Sequence, residues 1–266
     1  MKEIFQRTWT GISLVVVFAG SIMLGPLPFL GVLLLIYTLG ALELLRLEKA
    51  RLRAREYLLI STGLLFLLVI GLQANYSVSL YFLLLPVMMW MVLSPKKRKD
   101  LYRASLLLIW LAMPLSTYYA LAWVSGSAGY DPTLPLVVII LVWINDIFAY
   151  LGGSLLGRHQ LTPGLSPGKT WEGTLSGLIF SMGAGYLIQL STGLFSPGIW
   201  ILTGALTALL SLSGDLFESA LKRSCGVKDT GRILPGHGGI LDRFDSLLFV
   251  APTAFLTLLL YQILNA

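Results

Sequence analysis

Charge is scarce in this sequence. Asp, Glu, Lys and Arg make up 12% of its 266 residues while 56% are hydrophobic, whereas an ordinary soluble domain is roughly a quarter charged. A soluble fold with alternating polar faces is thereby excluded. Cysteine is nearly absent: Cys225 stands alone, so the chain can form no intramolecular disulfide and no cysteine-paired zinc site. Internal repeats and low-complexity linkers are lacking too, and residues 1–266 are read as a single transmembrane domain.

What is present instead is a series of apolar runs, each about twenty residues long. At about 1.5 Å per residue such a run crosses a ~30 Å hydrocarbon core as a helix. Lipid cannot satisfy open backbone groups, so helices must do the spanning. Nine spans are predicted, near 8–24, 27–45, 57–73, 77–93, 104–124, 134–156, 172–191, 198–218 and 246–264. The expected fold class is all-α, a polytopic integral membrane protein of about nine transmembrane helices. "GPLP", Gly25 to Pro28, breaks the first pair and predicts a tight hairpin there, with a re-entrant pair as the alternative.

Charge placement gives the orientation. With a cytoplasmic N-terminus, nine spans put the N-terminal tail and the loops near 46–56, 94–103, 157–171 and 219–245 on one side, and all 19 Lys and Arg fall in those segments. The opposite loops, "QANYS", "SGSAGYDPT" and "STGLFSP", hold one Asp and no Lys or Arg. Cytoplasmic loops of membrane proteins carry such an excess, so the chain is expected in the inner (cytoplasmic) membrane with its basic loops facing the cytoplasm. Lys2 and Arg7 give the first span the outline of a signal peptide, but "FAGS" is a poor cleavage site and the hydrophobic run resumes almost at once. The expectation is a retained span. The formal charge of +6 implies no nucleic acid, because the charges sit at membrane borders facing anionic headgroups. "PKKRKD" at 95–100 reads as one such anchor.

A carboxylate near the bilayer centre costs roughly 2.5–3.5 kcal/mol on insertion scales, so carboxylates within spans face a cavity or a partner. Asp146, in "VWINDIFAYLGGSLLG", has structural hydrogen bonding and site lining both open to it. Glu218 and Lys222 stand at i,i+4 and are expected to pair at a helix end. Asp215 lies a turn deeper with no basic residue three or four positions away, and it calls for a cation or a partner on another helix.

The segment 157–173, "GRHQLTPGLSPGKTWEG", contains a decoy. "GLSPGKT" resembles a phosphate-cradling loop, but three residues separate Gly164 from Gly168 where four are needed, and a membrane helix precedes it where a strand is required. What survives is the chemistry. Ser166, Lys169 and backbone amides at the start of the seventh span can meet an anion, and equally Lys169 can be an ordinary positive-inside residue.

Polar chemistry is densest over residues 219–245, "SALKRSCGVKDTGRILPGHGGILDRFD". Lys222, Arg223, Lys228, Arg232 and Arg243 supply charge for a polyphosphate. The run Gly236, His237, Gly238, Gly239 lets backbone approach a ligand closely. Asp242 and Asp245 stand at i,i+3 where the chain re-enters the membrane, and with Asp215 they suggest Mg²⁺, a hard cation held by one or two carboxylates plus substrate phosphates.

These residues carry a resemblance. The stretch is similar to the signature of the phosphatidate cytidylyltransferase (CDP-diacylglycerol synthase) family, matching it at Ser219, Leu221, Lys222, Arg223, Lys228, Asp229, Gly231, Leu234, Pro235, His237, Gly238, Gly239, Ile240, Asp242, Arg243, Phe244 and Asp245. A second similar block runs from Asn145 to Gly173. Gly168 stands where bacterial members commonly have the first Lys of Ser-Pro-Lys-Lys-Thr, leaving Lys169 as the charge there.

The resemblance implies that phosphatidate and CTP give CDP-diacylglycerol and pyrophosphate with Mg²⁺ as cofactor, in phospholipid biosynthesis. The catalytic part would be about residues 140–250. Asp215, Lys222, Asp242, Arg243 and Asp245 are expected as catalytic residues, with Asp215 and Asp242 as the metal ligands because the loop between them can fold their two helix ends together, and Asp146, Ser166, Lys169, Arg223, Lys228 and the Gly236–Gly239 run are expected to bind substrates. The expected partners are CTP, phosphatidate and the bilayer, with a homodimer left open. Two rival readings are a membrane nucleotidyl- or phosphotransferase for another lipid, which shares most of this chemistry, and a secondary transporter of an anionic solute. The transporter would call for internal repeats and polar residues spread along several spans, and the sequence has neither.

Overall fold

The computed structural model describes residues 2–48, 57, 60–65, 67–68, 103, 105–125, 129–231, 233–234 and 238–265, the first six of these by backbone only. It is nearly all helical, and six helices among the described residues are long and apolar enough to cross a membrane. Two compact units can be distinguished, residues 1–123 with 229–243, and residues 124–228 with 244–266.

The first unit contains α1 (Lys2–Leu24), α2 (Pro26–Leu47) and α3, a helix over Leu106–Trp123. One residue, Gly25, separates α1 from α2 with φ at 121°, a conformation open to glycine. Pro26 then opens α2 at a position where its missing N–H costs nothing. Over Leu106–Ala112 α3 is wound as a π-helix, and the Met113 amide bonds back five residues to Leu108. That widening comes directly before Pro114, whose ring would clash with a carbonyl of the preceding turn in a regular helix. Tyr118 on α3 stacks on Phe18 of α1 and meets Phe29 of α2 edge-on, with ring centroids 5.8 and 5.5 Å apart. An aromatic core thus joins all three helices. Residues 60–65 are helical as well, within the predicted third span; the predicted fourth span lies outside the described residues.

The second unit is built on α4 (Thr133–Leu156), α5 (Trp171–Thr192) and α6 (Pro197–Ser224), with the continuation of α7 (Leu241–Asn265) beyond residue 243. Small residues let these backbones approach. A Cβ on Gly173 would come within 2.6 Å of the Ala149 carbonyl oxygen, and one on Gly177 within 2.5 Å of Asn145 Oδ1, so α4 and α5 lie backbone against backbone. On the next face, Gly204 of α6 touches the Ser181 carbonyl of α5.

One element departs from the all-α expectation. Residues 160–170 form a β-hairpin, in which β1 (Gln160–Thr162) pairs antiparallel with β2 (Ser166–Thr170). Pro163 and Gly164 supply the turn, closed by the Leu165 amide on the Thr162 carbonyl at 3.1 Å. The strand runs directly into α5, whose N-cap is Thr170. Its hydroxyl accepts the Gly173 amide at 3.1 Å.

Candidate active site

In the second unit, α4, β2, α5 and α6 enclose a cavity of about 260 Å³. Asp146 reaches it from α4, Lys169 from β2 and Asp215 from α6. The Lys169 ammonium is paired with Asp215 Oδ2. The other oxygen of Asp215 accepts the Ser246 hydroxyl of α7 at 3.0 Å. Asp215 therefore has the partner on another helix that its depth demanded, together with a cation from the hairpin. Asn145 Nδ2 donates to Asp146 Oδ1 at 3.2 Å, and Asp146 also lines the cavity.

The hairpin is held so that Lys169 stays at this cavity. Glu172, in the first turn of α5, accepts the Arg158 and His159 amides at 3.2 and 3.3 Å and binds His159 Nδ1 at 2.6 Å. The Trp171 amide closes the neck on the His159 carbonyl at 3.0 Å. Ser166 sits at the far end of β2, opposite Thr162.

One turn along α6 from Asp215, buried Glu218 pairs with Lys222 at 3.3 Å, as the i,i+4 spacing predicted. Asp245 faces Asp215 and Glu218. Close approach is possible because Gly214 packs on the Asp245 backbone, where a Cβ would meet the carbonyl oxygen at 2.5 Å. Three carboxylates therefore share a region with two lysines. Such crowding of like charges favours a bound cation, and among the described residues no three metal-binding side chains converge on one point. Hard oxygens in ones and twos suit Mg²⁺ completed by phosphate oxygens. The residues present fit that ion.

Arg223 and Lys228 are exposed around the end of α6, beyond the cavity. Helix α6 stops through a left-handed Gly226, with the Val227 amide bonded back to the Lys222 carbonyl at 3.0 Å.

In the first unit, Asp242 stands in the first turn of α7. Its Oδ2 accepts the Gly239 amide at 2.8 Å and the Thr230 amide at 3.1 Å. Arg243 is exposed beside it. The Leu234 amide bonds the carbonyl of Gly238 at 3.0 Å. Gly238 has φ at 88°, a backbone conformation suited to its lack of a side chain. Gly236 and His237 lie outside the described residues.

Sequence reasoning passed over Glu43. This residue of α2 is 1% exposed, and its carboxylate accepts the amides of Ile240 and Leu241 at 3.0 and 3.1 Å. The available signal was a carboxylate inside a predicted span.

Fold and site together define a polytopic membrane protein with a polar cavity lined by lysine and carboxylate side chains from α4, β2 and α6. Comparison with known proteins gives the family. The sequence pattern described as "Cytidylyltransferase family" matches residues 5–261, and the chain belongs to that family. It is 35% identical over 280 residues to a phosphatidate cytidylyltransferase of Bacillus subtilis (strain 168), covering 98% of this chain and all of that protein. It is 51% identical over 130 residues to the enzyme of the same name from Staphylococcus aureus (strain COL), covering 48% of each chain.

Proposed function

We propose that this protein transfers a cytidylyl group from CTP to phosphatidate, releasing CDP-diacylglycerol and pyrophosphate at the cytoplasmic face of the inner membrane. The observation that carries the reading is the cavity where Lys169 and Asp215 pair beside Asp146, in a chain related along its whole length to a phosphatidate cytidylyltransferase.

The chemistry suits these side chains. A phosphate monoester has a second pKa of roughly 6, so the phosphatidate phosphate is a largely ionised nucleophile at neutral pH and needs no general base. One of its oxygens bonds to the α-phosphorus of CTP as the bond from that phosphorus to the bridging oxygen breaks, and pyrophosphate leaves with that electron pair. Charge neutralisation and in-line positioning remain for the protein. Lys169, Lys222, Arg223, Lys228 and Arg243 would hold phosphate oxygens, with Ser166 and the Gly236–Gly239 run, including His237, near the nucleotide.

Asp215 and Asp242 are each proposed as Mg²⁺ ligands, with Asp245 supporting Asp215. Bound Mg²⁺ would offset the charge on the triphosphate and on the departing pyrophosphate. Asp242 would offer carboxylate oxygens, the donor type that Mg²⁺ takes. Nine spans, a cytoplasmic N-terminus and a catalytic part over about residues 140–250 complete the proposal.

The test is pyrophosphate release by the purified full-length protein in lipid nanodiscs, with a panel of nucleotides and lipids. Release is expected from CTP only when phosphatidate and Mg²⁺ are both present. Equal release with a different lipid phosphate, or none with phosphatidate, would reject the assignment.

A further inference from the structure

The N-terminus of α7 has an unusual cap. A helix leaves its first amides without intrahelical partners, and a local Ser, Thr, Asp or Asn usually accepts one of them. Here the residue before Leu241 is Ile240, which has no side-chain acceptor. Acceptors arrive instead from α2. Glu43 takes the Ile240 amide on one carboxylate oxygen at 3.0 Å and the Leu241 amide on the other at 3.1 Å. The same carboxylate accepts the Thr230 hydroxyl at 3.4 Å.

Space around it is reserved for that carboxylate. A Cβ on Gly239 would meet Glu43 Oε2 at 2.6 Å, and Gly231 is likewise pressed against the Glu43 side chain. Thr230 and Gly239 are also the two residues whose amides bind Asp242. Glu43 and Asp242 therefore grip the same two points of the loop, one through Thr230 Oγ1 and the Gly239 contact, the other through backbone amides.

We infer that Glu43 is the positioning residue for Asp242. Its buried negative charge ties Thr230 and Gly239 to the start of α7, and it acts on turnover only through the place it gives the Asp242 carboxylate. The catalytic consequence rests on the function proposed above. The structural one does not. A glutamine at this position keeps the shape but turns an NH₂ group toward a backbone donor and removes the charge that favours a helix N-terminus.

Residue-resolved hydrogen exchange on the full-length protein in nanodiscs, without substrates, is the primary test. In the wild type the Ile240 and Leu241 amides should exchange as slowly as the interior of α7, although first-turn amides ordinarily exchange fast. In Glu43→Gln, exchange at Thr230, Gly239, Ile240 and Leu241 should accelerate about ten- to a hundred-fold, the loss expected for one charge-assisted hydrogen bond. Amides of α4 to α6 should keep their wild-type rates. The Mg²⁺ concentration giving half-maximal pyrophosphate release should rise by a similar factor. Unchanged exchange at those four positions, or equal acceleration along α5 and α6, would overturn the inference. If Glu43→Gln does not fold, fast exchange of Ile240 and Leu241 in the wild type overturns it and slow exchange supports it. A wild type that makes no pyrophosphate defeats the proposed function, while the exchange data still decide the role of Glu43.

Discussion

At the scale of the residue, Asp215 holds the most demanding position. It lies inside a membrane helix, takes an ammonium on one oxygen and a hydroxyl on the other, and faces Asp245. Replacing it by asparagine keeps the shape and the Ser246 contact but removes the charge that Lys169 and a divalent cation would meet. Turnover of Asp215→Asn, and of Asp242→Asn, is expected to fall at least about a hundred-fold, the loss typical of one electrostatic contact in a transition state, with normal amounts of protein in the membrane. Near-normal pyrophosphate release by both variants at low Mg²⁺ would remove these residues from the site. Ser246→Ala should cost far less, because Lys169 still neutralises the carboxylate. Part of this was readable beforehand. The pairing of Glu218 with Lys222 follows from helical spacing alone, whereas Asp215 could be singled out by its depth but not joined to Lys169 or Ser246. Those partners lie 46 and 31 positions away, and no local rule brings them in. Glu43 was hidden for the same reason, its partners being 197 and 198 residues distant.

At the scale of the element, helix length and apolarity were legible because a membrane dictates both. The hairpin of residues 160–170 was not. Its Pro, Gly and Ser content reads as loop, and its two ends are fixed by the Arg158 amide on Glu172 and by the Gly173 amide on Thr170 instead of by an apolar face. Packing between helices is equally silent in the sequence until glycines are compared. Gly183 and Gly204 both sit within helices, yet a Cβ on Gly183 meets nothing within 4 Å, while one on Gly204 runs into the Ser181 backbone. Gly204→Ala should therefore force α5 and α6 apart, lowering stability by about 1–3 kcal/mol. Gly183→Ala should be neutral or stabilising by up to about 1 kcal/mol through helix propensity. Thermal denaturation of the two variants in the same detergent checks this, and an equal effect at both sites would mean that close packing at Gly204 is not limiting.

At the scale of the whole molecule, the proposed chemistry needs two substrates from different phases. CTP is soluble, whereas withdrawing a two-chain lipid into water costs ~0.8 kcal/mol for each exposed CH₂. The proposed solution is a site open to the cytoplasm for the nucleotide and open sideways for the phosphatidate headgroup, with the acyl chains left in the bilayer. The cavity lining accords with this, since Tyr150 on α4 is 75% exposed while lining the same space as Asp146 and Lys169. The charge pattern makes a separate demand, that all 19 Lys and Arg lie on the inner side. Cysteine labelling in sealed, right-side-out vesicles tests both after Cys225→Ser removes the native thiol. Single cysteines placed in the 157–171 and 224–236 segments should resist an impermeant maleimide until the membrane is opened. Once it is opened, CTP with Mg²⁺ should slow their labelling. Reaction of either segment from the outside in intact vesicles would overturn the orientation, and with it the route by which the nucleotide reaches Lys169 and Asp215.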